Sequence, residues 1–124
     1  MTKDELRIAV AEARGYTRAD NFEDTLGELP VWKSPEGYLI SEAWIPDYLH
    51  SMDVCITLVE EMGKAPDLIG VTMHYYADFE NGRGIYYCTM DFRKGGWNVS
   101  GNGITMSEAI CRAYIKWKEE DNYE

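Results

Sequence analysis

The sequence has few of the residues that metal binding and nucleophilic catalysis require. Its 124 residues include only two histidines, His50 and His74, and three cysteines without a Cys-x-x-Cys spacing. A structural metal site needs several such ligands at short, fixed spacing, so we expect neither a metal nor a cofactor. An odd number of widely spaced cysteines is typical of reduced thiols in a cytoplasm. We expect Cys55 and Cys88 to be buried as small apolar side chains.

Basic residues are also scarce, with 12 lysines and arginines against 22 acidic residues and a formal net charge of −10. A chain this acidic would repel nucleic acid and anionic membranes, so we expect direct binding to neither. The charge could favour basic partners, imitate a polyanion, or simply keep the protein soluble. No apolar run approaches the roughly 18 residues of a membrane span. The charged, amphipathic start of the chain leads us to expect no signal peptide and a cytoplasmic location.

The length predicts a single domain, residues 1–124, and the clearest pattern lies between Ile69 and Val99. Two runs alternate apolar and polar residues, as in strands that bury one face. Their apolar residues are Ile69, Val71, Met73, Tyr75, Ala77 and Phe79, then Tyr86, Cys88, Met90 and Phe92. Asn81-Gly82 between the runs is typical of a two-residue type I′ turn. A second turn at Lys94-Gly95-Gly96 returns the chain with Trp97 opposite Phe92, which predicts a three-stranded antiparallel meander.

The two-residue turn also predicts the register of the first two strands. Apolar residues then lie opposite apolar residues, as Ala77 with Tyr86, Tyr75 with Cys88, Met73 with Met90 and Val71 with Phe92. The other face is polar and aromatic, and six of its residues form a candidate ligand or partner face: Thr72, His74, Tyr76, Tyr87, Thr89 and Asp91. In this register His74 lies opposite Thr89, and Tyr76 opposite Tyr87. Either the first helix and Trp32 cover this face or it binds a ligand.

Three helices are predicted from capping residues and apolar stripes. Capping boxes at Thr2 to Glu5 and Thr105 to Glu108 begin helices that end near Arg14 and Glu119, and another helix spans about Ser51 to Met62. The stripe of the second helix is Met52, Cys55, Ile56, Val59 and Met62, and that of the last helix is Ala109, Ile110, Ala113, Tyr114 and Trp117. We expect the second and third helices to cover the apolar face of the meander.

The connecting segments have less regular patterns. Residues 16–35 show no clean period and contain an acidic cluster between Asp20 and Glu28, so we expect a long acidic loop. Ser34 to Gly37 predicts a turn, followed by a short extended piece. Ser100 to Gly103 is so rich in glycine that we expect it to be irregular.

Aromatic residues are more numerous than a core of this size requires, with nine tyrosines and four tryptophans. Several lie outside the predicted apolar stripes: Tyr48, Tyr76, Tyr87 and Tyr123. Tyrosine is enriched at interfaces because it combines contact area with a polar tip. These residues indicate either a binding surface, including self-association into a homo-oligomer, or half-buried packing between layers.

Five short segments carry a family resemblance. They are Trp32, Pro35-Glu36-Gly37, Trp44-Ile45-Pro46-Asp47-Tyr48, Val59-Glu60-Glu61-Met62 and Ala109-Ile110-Cys111-Arg112-Ala113. Together they resemble the phage ABA sandwich domain, a family of small proteins of bacteriophages and prophages. The resemblance implies an α+β fold, an α-β-α sandwich built on an antiparallel meander with three main helices. It implies no catalytic residues, and the long acidic segment departs from the family pattern.

Three functional hypotheses follow from these observations. The first is a non-catalytic phage accessory protein that sequesters a host protein or a nucleotide-like ligand, and so antagonises antiviral defence in the host cytoplasm. The second is a small enzyme that degrades such a ligand, using His74 with Asp78, Asp91 or Tyr87. The third is an acidic DNA mimic that inhibits a host DNA-binding protein.

Overall fold

The computed structural model describes residues 1–19, 30–78 and 82–121 and has two small sheets and three helices. In chain order the elements are α1 (Lys3–Ala13), β1 (Thr17–Arg18), β2 (Val31–Lys33), β3 (Leu39–Ser41), α2 (Met52–Met62), β4 (Leu68–Asp78), β5 (Arg83–Phe92), β6 (Asn98–Gly103) and α3 (Met106–Asp121), with short 3₁₀ turns at Glu42–Trp44 and Lys94–Gly96. The first sheet has the order β1-β2-β3 and the second the order β4-β5-β6, both antiparallel. The α+β class, with helices packed against an antiparallel meander, is confirmed.

The helices begin at the capping residues that the sequence indicates. The Thr2 hydroxyl accepts a hydrogen bond from the Glu5 amide at 3.1 Å, and the Glu5 carboxylate accepts one from the Thr2 amide at 3.3 Å. The Ser51 hydroxyl accepts from the Val54 amide at the start of α2. Only half of the second predicted capping box forms, because the Thr105 hydroxyl caps Glu108 while the Glu108 carboxylate binds Arg112. These bonds satisfy amides that a first helical turn leaves free.

The last helix, α3, is the centre of the fold. It packs on β5 and β6 on one side and contacts both α1 and α2. All five residues of its predicted stripe are buried, as are its neighbours Ser107 and Cys111. Because α3 is covered on several sides, its burial extends beyond the single stripe of a surface helix.

The second helix is rotated from its predicted orientation. Met52 is 46% exposed and Ile56 is 39% exposed, although both belong to the predicted stripe. Leu58 is fully buried with Cys55 and Met62, and this face meets α3. The prediction of Met52 and Ile56 as core residues is therefore wrong, because a helix with apolar residues on several faces is oriented by its neighbours.

The segment Ser100 to Gly103 is part of a strand, contrary to the expectation of irregular structure. Gly101 is buried opposite Cys88, and a Cβ atom placed on it would lie 2.3 Å from the Ala113 amide nitrogen. A Cβ on Gly103 would lie 2.7 Å from the Glu108 side chain. The glycines are needed here because α3 crosses β6 at very short distance, which is one of the positions where a strand glycine has a packing role.

The meander is confirmed, but its first register is shifted by two residues from the predicted one. Met73 lies opposite Cys88 and Val71 opposite Met90, and the strands end at Asp78 and Arg83. The connection therefore spans residues 79–82 in place of two residues, and Asn81 lies outside the described residues. A shift of two residues leaves every side chain on its face, so the apolar pattern cannot detect it. The predicted pairing of Phe92 with Trp97 is confirmed by a 2.9 Å backbone hydrogen bond.

The glycine at position 84 gives a physical reason for the observed register. Tyr75 lies opposite Tyr86, with ring centroids 4.7 Å apart. A Cβ atom on Gly84 would lie only 1.8 Å from the Tyr75 hydroxyl oxygen. The ring of Tyr75 therefore extends over the bare backbone of Gly84.

Two strands of the first sheet, β1 and β2, lie within the segment expected to be a loop, whereas β3 lies in the predicted extended piece. β1 and β2 pair at Thr17 with Lys33 and at Arg18 with Trp32. The turn before β3 is confirmed, with a 2.9 Å hydrogen bond from the Gly37 amide to the Ser34 carbonyl oxygen. The acidic cluster lies at residues 20–28, outside the described residues.

Most of the buried apolar side chains form one core. Its members include Cys55, Cys88 and Cys111, each fully buried with a free thiol, so the expectation for Cys55 and Cys88 is confirmed. Within the described ranges, no helix has the length and apolar character needed to cross a bilayer.

Candidate binding surface on the second sheet

The six predicted site residues share one face of β4 and β5, which we call the polar face. Thr72, His74 and Tyr76 alternate along β4, and Tyr87, Thr89 and Asp91 along β5. The three side chains of β4 are exposed and the three of β5 are half-buried. α3 packs on the opposite face of β5, which carries Cys88 and Met90.

The observed register changes the neighbours within the polar face. His74 lies opposite Tyr87, not Thr89, and the two rings stack with centroids 5.0 Å apart at 11°. Tyr76 lies opposite Ile85, not Tyr87, and Thr72 lies opposite Thr89. The predicted pairs His74 with Thr89 and Tyr76 with Tyr87 are wrong because of the two-residue shift, although all six residues remain on one face.

A hydroxyl pair extends the polar face toward β6. The Thr89 and Ser100 hydroxyl oxygens are 3.0 Å apart, within hydrogen-bond distance. Asp91 lies further along, opposite Gly70 on one side and Asn98 on the other. The face is therefore a band with aromatic rings at His74 and Tyr87, then hydroxyl groups, and an acidic side chain at Asp91.

The outer side of β4 is a free strand edge in the part of the chain that the structure describes, where β4 pairs with β5 alone. We call this side the β4 edge. Four of its large side chains are exposed, at Ile69 (65%), Met73 (41%), Tyr75 (55%) and Tyr76 (60%). Between Leu68 and Ala77 the strand has neither lysine nor proline, the residues that commonly protect an edge from pairing. The β4 edge thus offers both unpaired backbone groups and apolar contact area.

The prediction that Met73 and Tyr75 belong to a buried face is wrong. The apolar face is covered where α3 packs on β5 and β6, and it becomes exposed toward β4. The alternation of residues indicates which face is apolar, but it cannot show how far a helix extends across the sheet. No sequence signal therefore separates these two residues from Cys88 and Met90.

Among the side chains that the structure describes, no acidic group of the polar face lies close to His74. His74 is opposite Tyr87, and Asp91 is four residues further along β5, a separation of roughly 13 Å along a strand. A catalytic base and its orienting acid need hydrogen-bond distance. Of Asp78, the other proposed acid, the structure describes only the backbone position at the end of β4.

The three cysteine thiols are fully buried, and two of them have raised pKa values. Burial raises the pKa of the Cys88 thiol to about 12. The Cys111 thiol has a raised pKa because of its hydrogen bond with Cys55 and its burial. A hydrogen bond with Cys111 lowers the pKa of the Cys55 thiol in spite of its burial. A reactive cysteine needs exposure as well as a lowered pKa, and all three thiols are fully buried.

Other groups whose pKa values are shifted, centred on Glu61, form an ionic network that joins the three helices. Burial raises the pKa of the Glu61 carboxylate, but a hydrogen bond from the Tyr114 hydroxyl and the nearby cations outweigh it, so the pKa is lowered overall. Those cations are Arg14, whose Nε atom is 3.5 Å from Oε1 of Glu61, and Lys118, whose Nζ atom is 3.3 Å from Oε2. The network links α1, α2 and α3, which gives it a structural role.

Among the described residues, no group of three histidine, cysteine or acidic side chains is arranged to hold a metal ion. Comparison with protein-family models, with curated proteins and with solved structures found no match.

Proposed function

We propose that this protein is a non-catalytic, stoichiometric binding protein that docks a basic protein partner on the β4 edge and the polar face. The observation that carries the proposal is the edge of an 11-residue strand, unpaired among the described residues, with exposed side chains on both of its faces. An extended segment of a partner can add to such an edge through backbone hydrogen bonds, while adjacent side chains provide specificity.

The shape of the surface supports a protein partner over a small ligand. The polar face is a band across antiparallel strands, whereas sites for small molecules are concave and bury most of the ligand. The stacked rings of His74 and Tyr87 and the exposed ring of Tyr76 are contacts typical of protein interfaces.

The charge supports a basic partner. The chain carries a formal net charge of −10, which steers cations toward it and repels a second copy. With the phage ABA sandwich resemblance of the sequence, this leads to a phage or prophage accessory protein that sequesters a basic host protein in the host cytoplasm and antagonises antiviral defence.

The test is capture from bacterial lysate on immobilised protein, comparing Tyr76→Lys with Tyr38→Lys. Both tyrosines are well exposed, at 60% and 70%, but Tyr76 belongs to β4 whereas Tyr38 directly precedes β3 of the first sheet. We expect wild type and Tyr38→Lys to retain the same basic protein at low salt and Tyr76→Lys to lose it. Equal retention by both variants would contradict the proposal.

Three alternative occupants or activities give different results. A second copy on the β4 edge would appear as a dimer in analytical ultracentrifugation, lost in Tyr76→Lys. An enzyme would form product with time, and unchanged activity in His74→Ala would remove His74 from its mechanism. A DNA mimic would compete with DNA for a basic host protein at low salt.

A further inference from the structure

A cavity of about 360 Å³ opens at the end of the second sheet, on the face opposite the polar face. Its lining residues come from the connection before β4, the turn between β5 and β6, and the end of α3: Pro66, Asp67, Phe92, Lys94, Trp97, Trp117 and Glu120. The volume falls in the range of small-molecule sites. Neither the sequence patterns nor the proposed protein docking assigns a role to this cavity.

Three aromatic rings provide its apolar walls. Phe92 and Trp117 are buried, at 6% and 7% exposure, while Trp97 is 43% exposed. The rings of Phe92 and Trp97 are 4.5 Å apart and tilted by 36°. Lys118 lies 4.6 Å from the centroid of Trp117, so one side of that indole is occupied. Trp97 is therefore the indole with surface free to stack on a planar ligand.

Three charged side chains complete the lining, two carboxylates and one ammonium. Asp67 has an unusual backbone conformation, with φ at +62°, and its carbonyl oxygen accepts a 2.8 Å hydrogen bond from the Arg93 amide. Glu120 and Lys94 belong to α3 and to the turn after β5. A planar ligand in this cavity would thus meet carboxylate acceptors and one cationic donor around an aromatic wall.

We propose that this cavity binds a guanine-class heterocycle, a planar purine that carries adjacent N–H and amino donors beside a carbonyl oxygen. The purine stacks on Trp97, its two donors bind the carboxylate of Asp67 or Glu120, and Lys94 donates to its carbonyl oxygen. Paired donors to one carboxylate make a strong, directional contact, and stacking of a base on an aromatic side chain adds affinity for any base.

The experiment titrates the purified protein with guanosine, adenosine, uridine and choline and follows binding by calorimetry and tryptophan fluorescence. We expect saturable 1:1 binding in which guanosine binds most tightly, because adenosine and uridine lack the paired donors. Choline is included because an aromatic pocket with carboxylates can also bind a quaternary ammonium ion. Choline binding without guanosine binding would overturn the proposal, as would the absence of saturation by guanosine at millimolar concentration.

Variants test the assigned contacts. We expect Trp97→Leu to weaken guanosine binding by about tenfold or more, whereas Trp44→Leu, at a 79% exposed tryptophan outside the cavity, leaves it unchanged. Asp67→Asn keeps a residue that tolerates positive φ, so this variant retains the fold. Asp67→Asn or Glu120→Gln should weaken guanosine binding about tenfold and leave uridine binding unchanged. Guanosine binding that is the same in all three cavity variants refutes the site.

The proposed protein docking on β4 is tested separately. Tyr76→Lys, which removes partner capture under that proposal, should bind guanosine as wild type does. Failure of guanosine binding with intact partner capture would overturn the cavity proposal alone.

Discussion

Substitution of Gly101 by alanine tests whether the close crossing of α3 over β6 determines the stability of this fold. The new Cβ atom would lie 2.3 Å from the Ala113 nitrogen, 2.6 Å from the Ala109 carbonyl oxygen and 2.9 Å from the Ala113 Cα atom. All three are backbone atoms, so no side-chain rotation relieves the contact. The helix itself must move by about 1 Å to restore normal packing distance.

The expected cost follows from what that movement disturbs. α3 packs on the second sheet and on both other helices, so its displacement affects several contacts of the core. Overpacking of a core costs about 1–3 kcal/mol, and a clash with helix backbone belongs at the upper end. Replacing glycine also lowers the entropy of the unfolded chain, which by itself stabilises the folded state by about 0.4–1 kcal/mol. We expect a net loss of about 2 kcal/mol, or roughly 8 °C in Tm for a domain of this size.

Thermal and urea unfolding of Gly101→Ala, followed by circular dichroism, measures this loss. Gly70→Ala is the matched control, since it lies in the same sheet and a Cβ there meets no atom within 4 Å. We expect Gly70→Ala to unfold within about 0.5 kcal/mol of wild type or to be slightly more stable. A Gly101→Ala variant with wild-type stability would show that α3 does not cross β6 at this distance.

Three further predictions concern other parts of the structure. Gly84→Ala should cost less than about 1 kcal/mol, because its Cβ meets the far end of the exposed Tyr75 side chain, which can rotate away; urea unfolding with a cost as large as that of Gly101→Ala would contradict this. Because the pKa of Glu61 is below its ordinary 4.5 in the folded protein, its stabilising effect is present above that pH and is lost as the pH falls through the folded-state pKa. Unfolding free energies measured from pH 7 to pH 3 should therefore decrease less in Glu61→Gln than in wild type, and parallel profiles would argue against the network. The three cysteines should not react with a thiol reagent in the native protein and should all react in denaturant, whereas rapid native labelling would place a thiol at the surface.

Capping and alternation were enough to predict the three helices and the β4–β5 hairpin. The Thr2 capping box, the start of α2 at Ser51 and the buried stripe of α3 are confirmed. These features depend on contacts between residues a few positions apart, such as a hydroxyl and an amide three residues later. The alternation of β4 and β5 placed the six residues of the polar face together for the same reason, because the side chains of a strand alternate.

Contacts between distant segments were not predictable in this way. The register between β4 and β5 is shifted by two residues, a change that leaves every face unaltered. The segment Ser100 to Gly103 is a strand because it pairs with β5, and Gly101 leaves room for α3. A run of glycines by itself is typical of a loop. The cavity beside Trp97 combines residues from three separate parts of the chain.

The sequence by itself determined which segments are helices, which two strands form the hairpin and which face of each strand is apolar, because these properties arise from neighbouring residues. Only the tertiary structure decided that β4 is an edge strand in the described part of the chain with Met73 and Tyr75 exposed, that α2 buries Leu58, and that Trp97 borders a cavity. These features depend on the position of α3 on the sheet, and that position is determined by the combined packing of all its neighbours.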